Sequence, residues 1–536
     1  MRSARREAPG WAAALAIAVI VVAQVASTAR SDLLFRDGDS LVVALAARSV
    51  LEGQPWDWAF SSVLFLPELT VFLLLRMLLP GVTIMGVLAV NAVVNVLALY
   101  GAVRLAAGRR LPGRRPVFWS VAALAAFGLL AITETSASRD ALEPASLVLT
   151  TTYYSATVVG SVLTLGLVRR WIDARSSSPL LSVAAPAQAR KPAGATATSR
   201  CEDGTTRRGT AILAAIGLVV AISTLTNPLF LAWAVAPIAV LLLFALRATV
   251  LGRAALLPLG VLVVGAGAGF AARIPFSAWI TNTGAGYAQP ELWMQSVGYY
   301  GELVLTRWTT PGGVAATILI GLLLAVAVRR SIRSSSGRRE QNDGERLIAA
   351  YAWFAPLAVV LGAIALGTHA ARYLEPIAFA PVLALAARPV NVRLSPGIRR
   401  AGAVTASALL VLGAAFSLPR IPAAVGAPDA DATCVVDWVN ASGRTGAGQF
   451  WTVRLPKLLL RDPAQLVQVD HTLRGYAWLV NRADFAVGEV TFLVEDAQTV
   501  PWQLTDAPQP DATIGCGRYR ILDYASHPLP LGPQRS

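Results

Sequence analysis

The feature that most constrains this chain is a succession of apolar runs, several near 20 residues long, separated by short arginine-rich patches. A helix of about that length spans the hydrocarbon core of a bilayer, where only helices and closed barrels can satisfy their own backbone groups. The 536 residues are 55% hydrophobic and 14% charged, whereas soluble domains carry roughly 25% charge. The composition excludes a soluble nuclear or cytosolic enzyme and predicts an all-α multi-span membrane protein. The net charge of +15 lies in the patches between the apolar runs. That is the positive-inside pattern, not a nucleic-acid footprint. Of 46 basic residues only Lys191 and Lys457 are lysines, a habit of GC-rich bacterial genomes.

Alternation of apolar runs and arginine patches predicts eleven spans: Trp11–Ala26, Val82–Val103, Val117–Thr133, Thr151–Val168, Thr210–Thr226, Pro228–Leu246, Ala254–Ala272, Gly312–Val328, Leu347–Gly367, Tyr373–Ala387 and Ala401–Leu418. Arg2, Arg5 and Arg6 place the N-terminus in the cytoplasm. The cluster Arg104, Arg109, Arg110, Arg114 and Arg115 belongs on the same side. A twelfth apolar stretch, Ser62–Leu79, is interrupted by Pro67, Glu68 and Arg76 and would break the alternation. It is expected to be interfacial or re-entrant. The loop Arg169–Arg208 is rich in Ser, Ala, Pro and Arg and is expected to be disordered.

Residues 1–418 thus read as a membrane domain and 419–536 as a small β-containing domain outside the cell membrane. Strand-like runs lie at Gln449–Leu455, Tyr476–Val480, Glu489–Val494 and Arg518–Leu522. In an oxidising compartment Cys434 and Cys516 can pair, while Cys201, in the arginine-rich loop, stays reduced.

Acidic residues collect on the outer side, and acids are weak determinants of topology. A chemical site on that face would account for them. Asp32, Asp37 and Asp39 follow the first span closely. A carboxylate there can accept a proton from an acceptor hydroxyl beside the head group of a lipid carrier. Asp39 or Ser40 can equally cap the helix that starts near Leu41, and Asp37-Gly38 can be a simple turn. A second group is His369, Arg372, Tyr373, Glu375 and Pro376 at the outer end of the ninth span. A guanidinium at the membrane surface can chelate phosphate, or it can snorkel to head groups beside a belt tyrosine.

With these two groups the chain resembles the GT-C glycosyltransferases, multi-span enzymes that use polyprenyl-phosphate sugars and include protein O-mannosyltransferases and lipid A aminoarabinose transferases. The resemblance rests on Asp37-Gly38-Asp39, Ala44-Leu45-Ala46-Ala47-Arg48, Gly53 and Leu66-Pro67-Glu68. It covers Trp11 to about Leu418 in architecture and two short motifs in residues. Asp-Gly-Asp stands where that family has adjacent acids, and Pro67-Glu68 where it has a Pro-Pro pair. The resemblance implies sugar transfer from a polyprenyl-phosphate donor to a cell-envelope glycan, lipid or protein. It implies Asp39 or Asp37 as base, with spacing to Ala47-Arg48 and Gly53 favouring Asp39. Arg372 would be the donor phosphate ligand and Tyr373 its neighbour. A divalent cation is an open option, and no protein metal site is expected.

Secondary candidates for acceptor or phosphate contacts are Glu68, Glu134, Asp140, Arg273, Arg307 and His369. The structural alternatives are loop solvation for Glu134 and Asp140, an interfacial place for His369, and for Glu68 a pairing with Arg76 that the spacing of eight disfavours. The aromatics Trp438, Trp451, Tyr476 and Trp478 can form a sugar-binding face or the core of the tail. Two rival functions stand beside transfer. A transporter or flippase would gather ionisable groups at mid-membrane. A non-catalytic scaffold would leave the acidic loop far from Arg372 with no cavity between them.

Overall fold

The computed structural model describes residues 2–176, 195–247, 252–281, 286, 288–332, 342–391, 395–504 and 507–535. The chain is mostly helical. In order come α1 (Arg2–Ala26), α2 (Ser31–Phe35), α3 (Val42–Leu51), the short strand β1 (Trp58–Ala59), α4 (Leu66–Leu78), α5 (Ile84–Ala106), α6 (Pro116–Ile132), α7 (Ser155–Ser176) and α8 (Ala195–Thr226). Then follow α9 (Ala236–Arg247), α10 (Leu256–Ala271), α11 (Trp293–Trp308), α12 (Pro311–Ile332), α13 (Asp343–Ala365), α14 (Pro376–Ala387) and α15 (Pro396–Ser417).

Among the described residues, seven helical stretches are long and apolar enough to cross a membrane: Arg5–Ala26, α5, Arg207–Thr226, Arg253–Ala271, α12, α13 and the run Pro396–Ser442. Their outward faces carry large apolar side chains, among them Val263 and Val264 of α10, Leu322 of α12 and Val404, Leu409 and Phe416 of α15. Such a surface is suited to lipid rather than water. The centre of the bundle is different. α14 is apolar all round and almost wholly buried among α6, α12 and α13, as expected of an apolar helix enclosed by others. α4 has 13 residues, about 20 Å at 1.5 Å per residue. That is well short of the ~30 Å core, which explains why Ser62–Leu79 does not fit the alternation of spans.

One expectation is corrected in the arginine-rich loop. Its described parts are helical: α7 runs on to Ser176 and α8 begins at Ala195. Residues 177–194 lie outside the described residues.

The C-terminal segment is an α/β unit. Its helices are α16 (Arg420–Val425), α17 (Ala430–Ser442) and α18 (Phe450–Leu459). Its strands are β2 (Gly446–Gln449), β3 (Leu466–Val469), β4 (Arg474–Tyr476), β5 (Val480–Asn481), β6 (Glu489–Val490), β7 (Phe492–Glu495), β8 (Ala512–Cys516), β9 (Tyr519–Asp523), β10 (Leu529–Pro530) and β11 (Gly532–Arg535). Seven strands form a mixed sheet in the order β11-β4-β3-β2-β7-β9-β8, with β3, β2 and β7 parallel and fully buried at its centre except for the end of β7. Parallel neighbours require a crossover, and α18 supplies it between β2 and β3. This corrects the strand-like reading of Gln449–Leu455. Trp451, Thr452 and Val453 have high strand propensity, but the parallel pairing on either side decides the conformation.

Cys434 on α17 and Cys516 on β8 are disulfide-bonded, Cα to Cα 5.5 Å. With a sequence separation of 82, the closure stabilises the unit by about 4–5 kcal/mol in the chain-entropy view.

The unit is fastened to the loop that follows α1. β5 pairs antiparallel with β1, Trp58 opposite Asn481 and Ala59 opposite Val480. Arg48 of α3 donates to the carbonyls of Leu458, Leu460 and Arg461 at 3.0, 2.7 and 2.6 Å. Arg36 meets Asp429 at 3.2 Å. The tail therefore closes over the acidic loop.

Candidate functional site

α1 runs between two chemically different ends. At its start Glu7 holds Arg104 and Arg110 at 2.8 and 3.1 Å. At its far end the chain turns through α2 into Asp37-Gly38-Asp39. Neither Asp39 nor Ser40 caps α3: the cap residue is Leu41, with no side-chain hydrogen bond, and the Ser40 hydroxyl donates to Leu33 O. The capping explanation for these residues therefore does not hold.

The two aspartates have different surroundings. Asp37 is satisfied. Its Oδ1 accepts from the Tyr153 hydroxyl and from the Asp39 amide at 3.2 Å, and its Oδ2 accepts from Arg139 Nη1 at 2.7 Å. Arg139 in turn lies 3.5 Å over the Trp451 ring of α18. Asp39 is half-buried, and its Oδ1 is shielded from solvent without a hydrogen-bond partner. Burial, reinforced by the charge of Asp37, pushes Asp39 up to about 6, against the pull of Arg372, Arg139 and Arg454. A carboxylate tuned toward neutrality is suited to accepting a proton.

Asp39 faces a pocket of about 500 Å³ that opens to solvent. Arg372 and Tyr373, from the turn Ala371–Leu374 before α14, line the same pocket. So do Tyr153 and Tyr154 from the start of α7, Phe65 before α4, and Trp478 and Leu479 from the tail. Arg372 touches Asp140 at 3.4 Å. Four of the wall residues, Phe65, Tyr153, Tyr154 and Leu479, have left-handed backbones, φ 51°, 46°, 71° and 55°. Among the described residues only Leu473 is a further non-glycine case. Such conformations cost about 1–3 kcal/mol each and gather where a site imposes them.

Two further cavities adjoin the pocket, the first sharing Arg372 and Tyr373 with it and the second Tyr373. A polar one of about 560 Å³ is lined by Thr368, His369, Arg372 and Tyr373 with Gly286 and Gln289. Within it the His369 ring stands against Tyr299, centroids 5.3 Å apart. An apolar groove of about 710 Å³ between α9 and α13 ends at Thr368 and Tyr373.

The other candidates lie elsewhere. Glu134 and Arg307 join Arg30 and Glu143 in a buried ion cluster, with Arg30–Glu134 at 3.6 Å and Arg307–Glu134 at 4.0 Å. Glu134 also accepts from the amides of Ala145 and Ser146 at 2.8 and 2.6 Å. The pair staples the loop after α6 and does not face the Asp39 pocket. Arg273 donates to Leu225 O at 2.6 Å and Ser62 O at 2.7 Å, tying α8 to the segment before α4. Glu68 accepts from the Ala156 amide at 3.2 Å. Arg76 donates to Val82 O at 2.7 Å, so it is not paired with Glu68. Trp438 packs against Phe492 within the tail, centroids 5.0 Å apart.

Among the described residues no three His, Cys, Asp or Glu side chains converge. Asp37 is already engaged, which leaves Asp39 as the carboxylate lining the pocket.

No linear signal places Tyr153, Tyr154 or Leu479 at the site, and Trp478 stands out only as part of a possible sugar-binding face of the tail. Nothing in the linear order ties the tail to the first loop. Gly38 shows how tight that junction is. A Cβ there would lie 3.0 Å from Trp451, 3.1 Å from Phe450 and 3.2 Å from Arg454 Cγ. Gly38→Val is therefore expected to lever α18 off the loop at a cost of about 1–3 kcal/mol. Limited proteolysis should cut the tail faster than in wild type; an unchanged rate would contradict this packing.

Comparison with known protein families, curated proteins and solved structures finds no match to this chain.

Proposed function

We propose that this protein transfers a sugar from a polyprenyl-phosphate donor to a cell-envelope acceptor at the outer membrane face, with a GT-C-like membrane domain. The observation that carries this reading is that Asp39 and Arg372, from opposite ends of the membrane portion of the chain, line one pocket. A scaffold would have no need of that pocket. A transporter would gather its ionisable groups at mid-membrane, whereas these lie past the end of α1. Eleven crossings follow if α6, α7, α9 and α14 are added to the seven long apolar stretches. The arginine-rich end is then cytoplasmic and the pocket and tail extracytoplasmic.

In this reading the apolar groove between α9 and α13 holds the isoprenoid chain and brings the phosphate to Arg372. Guanidinium recognises phosphate bidentately and stabilises charge that grows on it. The acceptor hydroxyl lies against Asp39. Its oxygen attacks the anomeric carbon as its proton passes to the Asp39 carboxylate. The bond from that carbon to the phosphate oxygen breaks, and the electron pair leaves with polyprenyl phosphate. Tyr153 and Arg139 hold Asp37, and Asp37 holds the Asp39 amide, so the turn is fixed before substrate arrives. Trp478 and the tyrosines offer faces for a sugar ring.

The base must be ionised to act. Its raised value means that activity is absent well below pH 6, rises through about 6, and is level above it. The pH profile of kcat, with a radiolabelled polyprenyl-phosphate sugar and solubilised protein, checks this. A profile level from well below pH 6 would contradict Asp39 as base.

A further inference from the structure

Arg454 is a buried guanidinium, 5.0 Å from the centroid of the Phe450 ring and only partly hydrogen-bonded. It sits on α18 with 0% exposure, its stem against Gly38. Nη1 donates to Leu479 O at 2.8 Å and to Gln468 Oε1 at 3.4 Å. Nε and Nη2 have no hydrogen-bond partner. A buried charge left partly unpaired is expensive, and an apolar residue of similar volume would pack at less cost. Three acids act on it: Asp39, Asp484 and Asp37. Asp484 is already matched by Lys457 at 3.0 Å. That leaves Asp37 and Asp39, which flank the Gly38 against which the Arg454 stem packs.

We infer that Arg454 is a positioning residue of the Asp39 site: the C-terminal segment lays its side chain against Gly38, and its charge, held beside the acidic turn, fixes that turn and favours its ionised form. The inference rests on Asp39 being the base. Asp39 is faced by Asp37 from its own loop, by Arg139 from the loop after α6, and by Tyr153 and Tyr154 from the start of α7. Arg372 from the turn before α14 and Arg454 from α18 complete its surroundings. Of the three cations, Arg139 is bonded to Asp37 and Arg372 has Asp140 beside it. Arg454 is the one carried by the tail, so closure of the tail and the state of the base are linked.

The test does not require sugar transfer. A hydrophobic carbodiimide modifies protonated buried carboxyls, and mass spectrometry of the Asp39 peptide gives the extent of modification against pH. In the full-length wild-type protein modification should fall away through about pH 6. In Arg454→Gln the midpoint should rise by about one pH unit or more, as for a carboxylate that loses a nearby cation. Arg454→Lys should return it close to wild type, and the pH profile of kcat should move in parallel. Coincident modification curves for wild type and Arg454→Gln would overturn the inference. If Arg454→Gln does not accumulate, Arg454→Lys decides: a curve overlying wild type supports the inference and a displaced curve overturns it. Displaced modification without sugar transfer from any donor would count against the transferase reading alone. Transfer with an undisplaced curve would count against Arg454 alone.

Discussion

Asp39→Asn should lower kcat by about 10²–10⁴-fold, the range of a lost general base. The protein should otherwise remain folded. The substitution keeps the shape of the side chain, Asp39 Oδ1 bonds to nothing in the protein, and α3 does not use the residue as a cap. Donor binding, which the proposed function assigns to Arg372 and the apolar groove, should change little. Asp37→Asn should behave differently. It weakens the links to Arg139 and Tyr153 and thereby disturbs the turn, so kcat should fall less and the melting temperature more. Steady-state rates on the two purified variants, beside thermal melts, separate these outcomes. A kcat for Asp39→Asn within tenfold of wild type would remove Asp39 from the chemistry.

The second large effect concerns stability. Arg30→Met should cost about 3–5 kcal/mol, the usual result of breaking a buried ion cluster from one side. Arg30 is 1% exposed. It donates to Ser146 Oγ at 2.8 Å, to the carbonyls of Ser136 and Ser138 at 2.9 and 2.8 Å, and to Glu143 O. It also lies 3.6 Å from Glu134. Without it the loop after α6 loses its anchor and Glu134 is left buried beside Arg307 alone. Since folded proteins are stable by only about 5–15 kcal/mol, the variant should reach the membrane in much reduced amount. Glu134→Gln added to Arg30→Met should restore part of the loss, because it removes the charge left unpaired. Denaturant titrations of the two variants in detergent check both statements. An Arg30→Met protein as stable as wild type would contradict this account of the loop.

Much of the architecture was legible in the chain because a bilayer imposes one simple rule on it. Apolar length and arginine placement locate helices, and the interrupted stretch at Pro67, Glu68 and Arg76 does become a helix too short to cross. The candidate site was legible in its two ends. Asp37-Gly38-Asp39 and Arg372-Tyr373 stood out because charged groups at an apolar boundary are costly without a purpose. What joins them was not legible. The pairing of β1 with β5 and the contact of Arg139 with Trp451 are long-range, and no local pattern encodes them. The helical α18 was hidden by β-branched and aromatic residues, and Arg454 was hidden with it. Glu134 and Arg307 read as site candidates because a buried ion cluster and a catalytic one look alike in a linear sequence.

The most direct test of the central claim is sugar transfer from a panel of radiolabelled polyprenyl-phosphate sugars. Membranes would carry wild type, Asp39→Asn or Arg372→Ala at matched protein levels. The account predicts incorporation into envelope material with one of the donors for wild type, and its loss in both variants. Transfer by wild type that persists undiminished in both variants would contradict the site built on Asp39 and Arg372.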